Sequence, residues 1–410
     1  MKNRKWFTLI IVIVLALSGI VSISAQDWPQ WRGANRDGKV NDFTAPESWP
    51  PELSLQWKDS VGTGDATPVL VGDRLYVFTR QGEQEILLCL DADRGEEQWR
   101  IEYAAPAVTG AGGRHPGPRS TPVVSENKIL TLGASGILSC MDATSGKLLW
   151  RKDPFPGVVP MFFTAMSPMI VDGLGIAYLG GVENGAIIAY EMKTGDEKWR
   201  WAEEGPHYGS PVLLEVADTK QIITLTEKSI VGVGLSNGEL LWKLPFLPQR
   251  RAYNAATPIV SGNNVIFTGA GRGTKAVKIE KQGEGFVASE LWTNADLAVQ
   301  FSTPVLKQDL LYGYSNMGSL FCIDALTGQT AWTDTIKHDR GGFAAILDVG
   351  PVIMALPSSS ELIFIKPVKE EYSELAKIKV ADLPTYATPV VAGNRIYIRD
   401  ENTISLWKIQ

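Results

Sequence analysis

From residue 53 to the C-terminus, apolar and polar positions follow one another in short runs that end in a turn and begin again. Each run opens on Thr or Ser before Pro and continues into an apolar stretch. A polar turn follows, such as Val71-Gly72-Asp73, Ser261-Gly262-Asn263 or Ala392-Gly393-Asn394, and then a stretch that alternates Ile or Leu with Tyr or Phe. The markers are Thr67-Pro68, Thr121-Pro122, Ser167-Pro168, Ser210-Pro211, Thr257-Pro258, Thr303-Pro304 and Thr388-Pro389, with the prolines 54, 46, 43, 47, 46 and 85 residues apart. The last interval is two units long and holds an eroded copy at Phe343-Ala344-Ala345. Period-two patterning between turn signals predicts strands, four to a unit of roughly 40–50 residues, which is the signature of a propeller blade. Eight copies predict an all-β, eight-bladed propeller of four-stranded antiparallel blades. The final unit, residues 387–410, stops after its third strand, while residues 53–60, with Trp57, precede the first marker. That N-terminal strand is predicted to complete the eighth blade and close the ring, which removes two exposed sheet edges. Helical periodicity is confined to residues 372–377.

The second half of each unit carries a motif. Residues Cys140 to Trp150 read C-M-D-A-T-S-G-K-L-L-W. Asp142 suits a turn because its short carboxylate accepts backbone N–H groups just ahead of it, Gly146 supplies the positive φ of a tight connection, and Trp150 places a large ring on the next strand. The same set recurs as Asp91, Gly95, Trp99 and as Asp324, Gly328, Trp332, and more loosely as Glu191, Gly195, Trp199 and Gly238, Trp242. Cys89, Cys140 and Cys322 each stand two residues before the Asp, so they are one structural position in three blades. They read as small buried hydrophobes, too far apart to be bridged.

This A-x-D-x-x-T-G-x-x-x-W unit resembles the pyrroloquinoline-quinone (PQQ)-like propeller repeat, and residues Cys322 to Trp332 follow it with Cys in place of the first Ala. The opening Asp27-Trp-Pro-Gln-Trp-Arg-Gly33 and the run Gly117-Pro-Arg-Ser-Thr-Pro122 resemble a secreted bacterial branch of that superfamily whose function is typically unassigned. The resemblance implies one of two functions. BamB-like proteins are noncatalytic propellers that bind a protein or peptide partner in the cell envelope and hold no cofactor. Quinoprotein dehydrogenases oxidise alcohols or sugars with PQQ and calcium. The chain carries no adjacent cysteine pair and no recognisable calcium set, and it lacks the lipidated cysteine of BamB. A BamB-like scaffold is therefore expected, with the dehydrogenase as the alternative.

Ahead of the repeat, residues 1–25 combine a basic start, an apolar run and small residues near Ala25, a secretory signal peptide that directs the protein to the periplasm or beyond. An uncleaved anchor is the other reading of the same run, and it is the only membrane contact the sequence suggests. Residues 26–52 form an irregular arm whose Trp28, Trp31 and Trp49 must pack on the propeller, as a strap over one face or rim.

Composition narrows function further. The 40 glycines and 13 tryptophans follow from the repeat, and a net charge of −6 disfavours nucleic acid as a partner. Candidate chemistry lies in the connections that join the last strand of one blade to the first of the next. They carry Arg114, His115, Arg119, then His207 and Tyr208, then Arg250, Arg251 and Asn254, then His338 and Arg340. All three histidines and several arginines thus fall on one face. Polar residues collect in exposed connections in any fold, and that reading stands first. The functional reading is a funnel for an anionic ligand, a carboxylated cofactor or an acidic segment of a partner. No spacing supports a metal site or a catalytic constellation. The apolar connection 154–163, with Phe155, Met161, Phe162 and Phe163, is expected to tuck under the arm, or else to form a partner-binding patch.

Overall fold

The computed structural model describes residues 27–249, 252–339 and 341–409. Among these the chain forms eight four-stranded antiparallel sheets and a single 3-10 turn at Gly110–Gly112. Blade 1 runs Val69–Val71, Arg74–Gln81, Gln84–Asp91 and Glu97–Ala104; blades 2 to 7 begin at Val123, Met169, Val212, Ile259, Val305 and Ala344. Blade 8 takes Val390–Ala392, Arg395–Arg399 and Thr403–Lys408 from the end of the chain and Ser54–Ser60 from its beginning, paired from Ser54–Lys408 to Ser60–Thr403. The stretch 372–377 is not helical. Its residues lead into Glu374–Lys379, the outer strand of blade 7, whose Lys377 pairs with Ile363.

Burial explains the pattern. The middle strand Gln84–Asp91 buries six residues in a row because neighbouring blades cover both of its faces. The outer strand Glu97–Ala104 half-buries only Trp99, Ile101 and Tyr103 and turns its charged residues outward. The motif does double duty here. Asp142 Oδ1 accepts the N–H groups of Thr144 and Ser145, which closes the turn. Gly146, at φ 71°, then lies flat on the Trp99 ring of the preceding blade, where a Cβ would meet that ring at 2.6 Å. Trp57, Trp99, Trp150, Trp199 and Trp292 each pack on the next blade's glycine turn in this way, and most of them also donate Nε1–H to a carbonyl there, Trp150 to Met192 and Trp199 to Leu235. Cys89, Cys140 and Cys322 pair across the strands with Trp99, Trp150 and Trp332. A small side chain is needed opposite so large a ring, and blade 4 uses Gly232 at that place. All three thiols are buried and pushed up to about 12, first of all by desolvation.

The marker hydroxyls have a separate task at the hub. The N–H of Thr121 donates to Ser167 Oγ, that of Ser167 to Ser210 Oγ, that of Thr257 to Thr303 Oγ1 and that of Thr388 to Thr67 Oγ1, at 2.9–3.0 Å. Blade is tied to blade around the axis, including the first to the last.

The arm crosses this axis. Trp28 pairs with Leu70 of blade 1, and Pro29 accepts from Val124 of blade 2. Arg36 donates to the carbonyls of Ser167, Pro168 and Pro211 in blades 3 and 4. Trp31 reaches Thr257 of blade 5, and Arg32 donates to Thr303 and Pro304 of blade 6 and Ile346 of blade 7. Asp42 accepts from Gly393 of blade 8. One short segment thus touches every blade, as an axle through the ring and not only as a strap on its surface. Arg32 and Arg36 are 3% and 4% exposed, and burial lowers them to about 10 and about 9.

Candidate functional site

The loops from outer to inner strand all open on one face, and there they surround a cavity of about 370 Å³ over the axis. Its inner end is closed by Trp31 and Arg32 of the arm. Its wall is a belt of rings drawn from successive connections: Phe162, Tyr208, Tyr253, Phe301, Phe343, Tyr386 and His115. Neighbours in the belt touch. Phe162 meets Tyr253 edge-on at 5.1 Å, Phe301 stacks on Phe343 at 4.2 Å, Phe343 meets Tyr386 at 5.1 Å, and His115 meets Tyr386 at 4.8 Å. Seven of the eight connections supply a ring, and the eighth supplies Asp65. Rings held edge-to-face and stacked in this way form a stiff apolar wall.

The polar groups are few. Asp65 Oδ2 takes His115 Nδ1 at 2.8 Å, which leaves the other ring nitrogen without a hydrogen bond among the described residues. Arg119 is spent on structure, donating to the carbonyls of Phe162, Gly112 and His115, and burial lowers it from its ordinary value. Tyr208 accepts the Phe162 N–H and is pushed up to about 12 by burial, so it stays a neutral phenol. Arg114 is exposed at the lip and makes no hydrogen bond or ion pair among the described residues.

Of the candidates read from sequence, Arg114, His115, Arg119 and Tyr208 line the cavity. His207 lies behind the wall, its ring 4.7 Å from Tyr208, with Nδ1 accepting the Asn254 N–H; burial and then Arg272 lower it to about 4. Asn254 is fully buried and braces the same connection, donating to Thr226 and Phe246 and accepting from Arg272. His338 is also buried, with Nε2 against Asp334 Oδ2 at 2.6 Å, so it is a structural brace and not part of the funnel. Arg250, Arg251 and Arg340 lie outside the described residues. The 154–163 connection does not tuck under the arm. Phe162 joins the wall, Phe163 packs on Gly112, and Met161 is left 65% exposed.

Trp31, Arg32, Asp65, Phe301, Phe343 and Tyr386 were not among the sequence candidates, yet a signal for three of them, Asp65, Phe301 and Tyr386, existed. The residue three before each marker proline (Asp65, Arg119, Ala165, Tyr208, Ala255, Phe301 and Tyr386) lines the cavity in all seven units that keep the proline.

The fold invites a calcium–quinone pair, so the donors present can be tested against it. Calcium takes about six to eight oxygens, mostly carboxylates and carbonyls. Asp65 is the one carboxylate among the described residues that line the cavity, and it is engaged by His115. Nor do the described residues contain a group of three His, Cys, Asp or Glu able to hold an ion. The donor set does not fit such a pair.

A family model described as "Outer membrane protein assembly factor BamB" matches residues 83–334. The chain is 25% identical over 369 residues to the protein of that name from Burkholderia pseudomallei, covering 85% of this chain and 86% of the relative. It is 27% identical over 156 residues to the quinohemoprotein alcohol dehydrogenase of Comamonas testosteroni, of which it spans 22%. In structure, BamB from Moraxella catarrhalis superposes with a TM-score of 0.64 at 14% identity, covering 87% of this chain and 100% of that one. The Comamonas enzyme superposes at 0.70 with 14% identity, covering 93% and 80%. These superpositions establish the ring architecture alone.

Proposed function

The chain belongs to the family described as outer membrane protein assembly factor BamB, and from that premise we propose that it is an exported, noncatalytic propeller scaffold that binds a protein or peptide partner through its loop face. The observation that carries this reading is the cavity, an aromatic pit built by seven connections and stopped at its inner end by the protein's own arm. Around it the same face leaves Met161, Leu247 and Met317 more than 60% exposed, apolar surface of the kind that marks interaction sites. Asp65 is tied to His115 and Arg119 to carbonyls, which stiffens the wall, and the described lining residues supply no nucleophile with an activating base.

Site-specific photocrosslinking in envelope preparations tests the reading. A crosslinker at Met161 or Met317 is expected to capture a discrete partner, and one at Val287 on the outer rim is not. No adduct from the loop face, or equal adducts from face and rim, would reject it.

The second reading is a small quinoprotein dehydrogenase using PQQ and calcium, favoured by the similarity to the Comamonas alcohol dehydrogenase. Adding PQQ and Ca²⁺ to the purified protein and following dye reduction with alcohols or sugars decides it. A bound quinone with turnover would replace the scaffold reading.

A further inference from the structure

The cavity is blind, because Trp31 and Arg32 fill its inner end. A chain cannot thread the ring, so whatever enters does so from the loop face as a protruding group. The pit selects by shape and by charge. Phe301 stacked on Phe343, with Tyr253 and Tyr386 at either side, offers faces and edges to a flat apolar group. The lip is cationic on an otherwise acidic protein: Arg114 is exposed and uncommitted among the described residues, whereas Asp65, the one carboxylate, is engaged by His115. A guanidinium with its fork free recruits a carboxylate, in two parallel bonds where the geometry allows. Apolar surface is also found beyond the pit, at Met161 and Leu247, 65% and 63% exposed on the blade 2–3 and blade 4–5 connections of the same face. A ligand sized to the pit would leave that surface bare, and a protein would cover it.

We infer that the cavity is an anchor pocket for a protruding segment of a partner protein, which inserts an aromatic side chain between the rings while an adjacent Asp or Glu pairs with Arg114. The inference rests on the scaffold reading and names the chemistry the scaffold selects.

The test is fluorescence anisotropy with the full mature chain and a labelled peptide carrying Asp-Trp-Asp in a Gly/Ser frame. Two control peptides replace the aspartates by Lys or the Trp by Ala. Each control is expected to bind about tenfold more weakly or worse, the worth of one charge-assisted hydrogen bond or one anchor ring. Arg114→Ala and Phe301→Ala are each expected to weaken the Asp-Trp-Asp peptide about tenfold, Arg114→Ala without moving the unfolding midpoint because its side chain is exposed, and Phe301→Ala with a small fall in that midpoint that leaves the chain folded. Absence of binding, equal binding of the Lys peptide, or indifference to both variants overturns the inference. So does free naphthoate binding as tightly as the peptide, which would make the pit a small-molecule site. If the loop face crosslinks a partner whose capture ignores both variants, the scaffold reading stands and the anchor chemistry falls. If no partner is captured, the scaffold reading itself has failed.

Discussion

The indole Nε1–H of Trp31 donates to Thr257 Oγ1 at 2.9 Å, across 226 positions of the chain. Thr257 in turn gives its N–H to Thr303 Oγ1, so the floor of the cavity and the hydroxyl ring at the hub are one hydrogen-bonded network. The site therefore cannot loosen without loosening the ring. Trp31→Phe keeps most of the floor and removes the bond, which should cost about 1 kcal/mol. Trp31→Ala also removes the packing and should cost about 2 kcal/mol or more. Urea midpoints measure both, and equal midpoints for the two variants would mean that Trp31 contributes only its hydrogen bond.

Arg36 supports the opposite side of the axis. Its guanidinium serves three carbonyls from two blades while 4% exposed, with Gln30 Oε1 as a further acceptor. Arg36→Leu leaves those carbonyls without the donor they face and should destabilise the protein by about 3 kcal/mol. The expected readout is a lower urea midpoint with an unchanged slope. A drop in slope would show instead that the arm detaches separately from the ring.

The indole of Trp99 departs from the interblade bonding, as does that of Trp242, which donates to Gln221 of its own blade. Trp99 Nε1 is buried without a partner, whereas Trp57, Trp150, Trp199 and Trp292 each donate to a turn carbonyl of the next blade. The carbonyl that Trp99 would use, Ala143 O, is taken by the Tyr76 hydroxyl at 2.9 Å. Tyr76→Phe frees it for the indole, so its cost should stay under about 1 kcal/mol, while Trp150→Phe, with no such replacement, should cost about 1 kcal/mol or more. Thermal unfolding of the two variants separates them, and a Tyr76→Phe loss as large as the Trp150→Phe loss would refute the exchange.

These cases show why the fold was legible and the site was not. Asp142, Gly146 and Trp150 do their work within eleven residues, in each copy, so the pattern exposes both the turn and its repeat count. The cavity draws on every connection, and even the residues at one shared position differ in kind: Asp65, Arg119, Ala165, Tyr208. No local motif joins them; only their shared distance from the marker proline does. Arg32 and Arg36 look like surface residues because their partners are backbone carbonyls, which leave no trace in residue identity. His207 and His338 sit in connections on the expected face, but burial, invisible to a count of polar residues, turns them into braces behind the wall.

His207 gives that burial a pH signature. Its folded value is lowered to about 4 from an ordinary 6.5, by desolvation first and then by the charge of Arg272. Between those two values the unfolded chain takes up a proton that the folded protein refuses. Stability from this group is therefore complete above about pH 6.5 and is lost as pH falls toward 4. At about 1.4 kcal/mol per unit, the loss over the window is on the order of 3 kcal/mol. The neutral ring accepts the Asn254 N–H through Nδ1, and a glutamine carbonyl can do the same without titrating. Wild type should accordingly lose about 3 kcal/mol relative to His207→Gln as pH falls from about 7 to about 4, read from the urea midpoints of both at each pH, since carboxylate contributions are common to both. Parallel curves would mean that His207 is protonated in the folded protein, and that the connection carrying Tyr208 yields to solvent before the rest of the wall.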